Sequence, residues 1–103
     1  MLKQGARFIR MQDAGSFRLP PEAKIVHAGM AEKLNQGDHV KFCVEGDNGA
    51  REKFWALFDS YDHENRTMNV TVNNDMVYTE FHGLKCSDQI TIPAFYLCAA
   101  MGK

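Results

Sequence analysis

The chain has 103 residues, of which 45% are hydrophobic and 24% charged, and a net charge of −1. These are values of an ordinary globular domain, and they exclude a disordered tail, a membrane-spanning protein and any overall demand for a polyanionic partner. On size scaling about 5,900 Å² of folded surface replaces about 17,000 Å² of extended chain, so roughly 65% of the surface is buried and one core suffices without staples.

Taken in chain order, residues 1–19 offer Phe8, Ile9, Met11, Phe17 and Leu19, enough for an edge strand or for irregular chain. Pro20 and Pro21 interrupt this segment. Pro21 followed by Glu22 suits the first turn of a predicted helix from Glu22 to Leu34. Val26, Met30 and Leu34 fall four apart on one stripe; Gly29 weakens the helix by roughly 1 kcal/mol, and Gly37 is placed past its end.

From Val40 the pattern changes to a period of two, with Val40, Phe42 and Val44 alternating with Lys41, Cys43 and Glu45, as in a strand with one buried face. Gly46, Asp47, Asn48 and Gly49 then form a hairpin turn. The partner strand runs from Glu52 to Asp59, and its apolar groups on both faces, Phe54, Ala56 and Phe58 against Trp55 and Leu57, predict a central strand. Asp62 to Asn65 is a second turn, followed by a strand in which Met68, Val70 and Val72 alternate with Thr67, Asn69 and Thr71. Asn73, Asn74 and Asp75 break it. Met76 to Tyr78 reads as a short extended piece, Gln89 to Ile92 as the last strand ended by Pro93, and Ala94 to Met101 as one or two helical turns over an open end.

The expected fold is therefore a single α+β domain: a curved antiparallel sheet of four to five strands, with a partly closed small barrel as its variant, and one N-terminal helix. Its parts are an irregular or helical segment over 1–36, the sheet core over 37–93 and a C-terminal cap over 94–103.

Charge is uneven along the chain. Lys3, Arg7, Arg10, Arg18, Lys24 and Lys33 against Asp13, Glu22 and Glu32 give residues 1–33 a net +3 and the remainder −4. A basic arm for nucleic acid is one reading, but no aromatic pair interleaves these charges as single-strand binding wants. Three cysteines without a CxxC, no apolar leader and no run of about 18 apolar residues lead to the expectation of a cytoplasmic protein outside the membrane.

Candidate chemistry is sparse. His39 with Cys43 and His82 with Cys86 compose a zinc-like set of two histidines and two cysteines. Residues four apart on a strand lie about 13 Å apart, however, too far for one ion. Cys86, His82 and Asp88 supply the residue types of a cysteine nucleophile and base within one predicted loop. Asp59, Asp62 and Glu64 cluster at a hairpin tip, where solvent keeps carboxylates ionised. No nucleophile elbow, HExxH, P-loop or dinucleotide fingerprint is present, and no cofactor is expected.

The succession Gly37, Asp38, Val40, Lys41, then Arg51, Glu52, Lys53, Phe54, Trp55, then Asn73, Asn74, Asp75, then His82, Gly83, Leu84, Lys85, and Asp88, Gln89, Ile90 resembles the YegJ-like family of small bacterial domains of unknown function. The resemblance spans residues 37–93, with Met76 where the family has proline and Ser87 where it has glycine. It implies an α+β domain with a curved antiparallel sheet and brings no activity. The expected function is a non-catalytic module that binds another protein, such as an inhibitor of a host protein encoded by a phage or mobile element, with Trp55, Phe54 and Tyr78 as its aromatic surface. A small metal-binding or cysteine-dependent enzyme on His39, Cys43, His82 and Cys86 is the first alternative, and nucleic-acid binding through the basic third is the second. A homodimer through an unpaired sheet edge is a further expectation.

Overall fold

The alternation of Val40, Phe42 and Val44 becomes strand β3 (His39–Glu45), and all three side chains are completely buried. We describe residues 2–15, 21, 23–25 and 28–102 of a computed structural model. The turn after β3 closes where the Gly46 amide donates to the Ala50 carbonyl at 2.8 Å, with Gly49 at φ +85°. Strand β4 (Arg51–Asp62) returns antiparallel to β3, pairing Phe42 with Phe54 and Val40 with Ala56. It bends at a bulge between Phe58 and Ser60, a device that turns a strand and increases its twist. Strand β5 (Thr67–Val72) lies on its other side, so β4 is central as its two apolar faces predict. Strand β6 (Gln89–Pro93) forms the far edge.

Three short strands complete the sheet: β1 (Arg7–Ile9), β2 (Lys24–Ile25) and β7 (Ala99–Met101). The hydrogen-bonded order is β2-β7-β3-β4-β5-β6, every pair is antiparallel, and the sheet curls into a half-barrel. Strands β1 and β7 share one edge of β3: β1 pairs with Cys43–Glu45 and β7 with His39–Lys41. The concave side holds one core of Val40, Phe42, Val44, Phe54, Phe58, Met68, Val70, Val72, Leu84 and Ile92. Each of its large side chains contributes about 1.5–3 kcal/mol by leaving water. The surface of 6113 Å² is close to that expected for one packed unit.

The fold is mostly β, which corrects the expected α+β class. Among the described residues the helical pieces are α1 (Thr79–His82) and 3₁₀ turns at Met11–Asp13, Ala28–Lys33 and Ala94–Tyr96. The predicted helix over Glu22 to Leu34 is replaced by β2 and the second of these turns; Glu22 and Val26 lie outside the described residues. The physical reason is a change of period. Ala31 is fully buried, and the Leu34 amide donates to its carbonyl at 3.3 Å, so the inward residues recur every three positions rather than every four. The predicted helical cap over Ala94 to Met101 is likewise corrected, because only Ala94–Tyr96 is helical. Leu97 turns to extended backbone at φ −64°, ψ 124°, and small Ala99 and Ala100 fit between β2 and β3. The sheet thus has seven strands rather than four or five. Met76 to Tyr78 is irregular chain leading into α1, not an extended piece.

Candidate functional site

The fold disperses the residues that composed the metal alternative. Among the described residues no three His, Cys, Asp or Glu side chains are grouped to hold a metal ion. His39 meets Trp55 edge-on at 6.4 Å, Cys43 is buried beside Ile9 and Ala14, His82 is buried, and Cys86 is exposed on a loop. Burial pushes the Cys43 thiol up and the Cys98 thiol up to about 12, so both stay protonated and neither is a ready nucleophile.

His82 is held at both ring nitrogens. The Leu84 amide donates to Nδ1 at 3.0 Å, so Nε2 carries the ring proton and donates to Glu52 Oε1 at 2.9 Å. No nitrogen is left to take a proton from Cys86 or a substrate, which removes the geometric basis for a cysteine–histidine enzyme at this position. The pair is a clamp. Glu52 also accepts the amides of Val77 and Tyr78 at 2.8 and 3.0 Å. Burial pushes the Glu52 carboxyl up, but the His82 bond and the two amides outweigh it and hold it below the usual carboxylate value. Glu52 thereby fixes the 73–84 segment against β4. Gly46 permits the approach, since a Cβ there would lie 2.5 Å from that of Phe81.

The hairpin carboxylates do not converge on one another. Asp62 accepts the Glu64 and Asn65 amides at 2.9 and 3.2 Å, whereas Asp59 accepts the Thr71 hydroxyl at 2.9 Å.

The aromatic surface is also corrected. Phe54 is completely buried and packs on Phe42 at 5.9 Å, so it cannot meet a partner. Trp55 points to the opposite face, half-buried, with the Lys41 ammonium 5.0 Å from its ring. Tyr78 is exposed on the loop beside Phe81. Strand alternation puts Phe54 and Trp55 on opposite faces, and the three make no common surface.

A different concavity lies at β1. Register places Arg7 opposite Glu45 and Glu45 opposite Arg51, so three strands present one charged row on the convex face. Glu45 binds both arginines through their Nε atoms, Arg7 at 2.8 Å and Arg51 at 3.1 Å. The two guanidinium bonds hold the Glu45 carboxyl below its usual range. Arg51 Nη1 donates to the Asp13 carbonyl at 2.6 Å, and Arg10 stands 3.6 Å from the Asp13 carboxylate. Among the described residues nothing else takes the terminal nitrogens of Arg7 or the second one of Arg51.

These side chains line a cavity of about 420 Å³ bounded by Arg7, Phe8, Ile9, Arg10, Asp13, Arg51 and Tyr96. Tyr96 packs between Phe8 at 5.8 Å and Phe95 at 4.3 Å, and Phe95 is 55% exposed. Sequence reading found Arg7 and Arg10 only as part of a basic segment. It missed Glu45, Arg51 and Tyr96, whose convergence is set by register between distant strands.

Compared with family profiles, curated proteins and solved structures, the chain matches none. Function is therefore read from this geometry.

Proposed function

We propose that the chain is a non-catalytic protein-binding module and that the Arg7–Arg10–Arg51 groove, rather than the Trp55 face, is its docking surface. The observation that carries the reading is the Arg7–Glu45–Arg51 row. One carboxylate fixes two guanidiniums by their inner nitrogens; the Asp13 carbonyl takes one outer nitrogen of Arg51, and the remaining outer nitrogens belong to side chains that line an open concavity. Arginine in such a setting suits planar recognition of carboxylates, and the exposed Phe95 beside Tyr96 supplies aromatic area of the kind that anchors interfaces. A module of this size acts by occlusion, the mode a phage or mobile-element inhibitor would use on a host protein. Three free thiols support a reducing, cytoplasmic setting.

One observation favours a second reading. The cavity lined by the arginines is also lined by Tyr96 and Phe8, so single-stranded nucleic acid has a stacking element that the linear sequence lacked. Charge weighs against it: Arg7, Arg10 and Arg51 set against Glu45 and Asp13 leave a net of only +1 at the groove, and phosphate backbones reward many cations.

The test is size-exclusion chromatography with light scattering on the reduced protein after incubation with lysate of its producing organism, beside an Arg7→Glu/Arg10→Glu variant. A stoichiometric protein companion that the variant loses supports the reading. A companion retained by the variant, a nucleic-acid companion, or stoichiometric zinc in the purified protein overturns it.

A further inference from the structure

The cavity touches four consecutive residues, Arg7 through Arg10. Successive side chains of a strand point to opposite faces, so a cavity that meets all four runs along the strand's edge.

Backbone parity says what that edge offers. The Gly46–Ala50 bond, and the Phe58 amide donating to the Asp38 carbonyl at 2.8 Å, assign the even-numbered residues of β3 to β4. The odd-numbered ones therefore turn their amides and carbonyls toward β1 and β7, as the Cys98 amide donating to the Lys41 carbonyl at 2.9 Å agrees. Arg7 pairs with Glu45 and Ile9 with Cys43. Phe8 is left facing outward, and among the described residues nothing takes its amide or carbonyl on that side.

We infer that the β1 edge takes an extended acidic segment of the partner protein as an added strand. This rests on the protein-binding reading above and names the partner's chemistry. Main-chain bonds to Phe8 give the strand its place, and alternate side chains give selectivity. Side chains on the convex side of the added strand meet the outer nitrogens of Arg7, and Arg10, directly after the end of β1, meets the same segment. Those on the other side meet the Phe8 and Tyr96 rings. The recognised pattern is thus acidic and apolar residues in alternation, a period of two dictated by the strand it joins. Charge complementarity distinguishes this edge from that of β6, which carries Gln89, Ile90, Thr91 and Ile92 without a charge and is ended by Pro93, and its three residues with a lined cavity distinguish it from the two-residue β2.

The experiment is fluorescence anisotropy with a labelled short peptide of alternating Glu and Val. Three comparisons accompany it: the Lys and Val counterpart, the Glu and Val peptide N-methylated at alternate amides, and a thymidine oligonucleotide. The expected result is binding of the acidic peptide alone, weakened about fivefold by each of Arg7→Glu and Arg10→Glu, the equivalent of about 1 kcal/mol for an exposed ion pair. Both side chains are more than half exposed, and Arg10→Gln gives the same direction of change with a milder substitution. Equal binding by the N-methylated or the Lys peptide overturns the acidic-strand inference and leaves the protein-binding reading standing. Binding of the oligonucleotide alone overturns both. Absence of binding by every peptide overturns the inference, and the companion experiment then judges the broader reading by itself.

Discussion

Ser87 sits at φ +76°, a left-handed conformation that costs a side chain roughly 1–2 kcal/mol and glycine nothing sterically. It is held there because its amide donates to the Val72 carbonyl and the neighbouring Asp88 carbonyl accepts the Val72 amide, both at 2.8 Å. Ser87→Gly is expected to raise unfolding stability by up to about 1 kcal/mol, the steric relief less the added unfolded-state entropy, measured by urea titration. A loss of stability would show that the Ser87 side chain contributes more than its backbone strain costs. Glu52 gives the opposite expectation. Glu52→Ala leaves the His82 Nε2 proton and the Val77 and Tyr78 amides unmatched, a loss of about 3 kcal/mol. The native Glu52 carboxyl lies below its ordinary 4.5, so its contribution is fully present above that pH and is lost as pH falls through the native value. Glu45 and Asp62 are shifted in the same direction, so the whole protein weakens in acid. The Glu52→Ala variant should therefore show a shallower fall than the native protein between neutral pH and the low end of the titration. Parallel curves would mean that Glu52 has the same affinity for protons folded and unfolded.

At the scale of elements, legibility follows length. Strands β3, β4 and β5 are long enough to display a period of two, and Gly46 to Gly49 and Asp62 to Asn65 have the chemistry of tight turns, so this meander was readable. Strands β1, β2 and β7 have two or three residues each, too few to show two repeats of a period of two. Strands β1 and β7 exist because the long β3 offers an edge, and β2 pairs in turn with β7. The stripe of Val26, Met30 and Leu34 suggested a helix because four-residue spacing fits 3.6 residues per turn, whereas the 3₁₀ turn that buries Ala31 uses three. The groove was illegible for the same reason as β1: Arg7, Glu45 and Arg51 become neighbours only through register. Register makes a testable claim about β1. The Arg7 and Ile9 amides face β3 and should be protected from hydrogen exchange, whereas the Phe8 amide faces the open edge and should exchange at least about tenfold faster. Equal protection across the three residues would show that the edge is already covered and would remove the docking strand from consideration.

At the scale of the whole molecule the three thiols report on how the sheet opens. Cys86 is exposed on a loop, Cys43 is enclosed by Ile9 and Ala14 behind β1, and Cys98 is buried at the start of β7. Because β1 and β7 share the same edge of β3, the two buried thiols sample adjacent parts of one layer. A thiol reagent at neutral pH should modify Cys86 at once and the other two only on opening, since burial keeps both protonated, Cys98 with a value near 12. If the sheet unfolds as one unit, as a contiguous core predicts, Cys43 and Cys98 should be labelled with a common rate constant equal to the global opening rate, read by mass spectrometry in the presence of excess reagent. Lifting of β1 alone would expose Cys43 while β7 stays paired to β2 and β3, so Cys43 would then be labelled ahead of Cys98. That ordering would identify β1 as the least stable strand, and an acidic peptide bound at its edge should slow Cys43 labelling without changing that of Cys98. Equal slowing of both would place the peptide's effect on global stability instead of on the β1 edge.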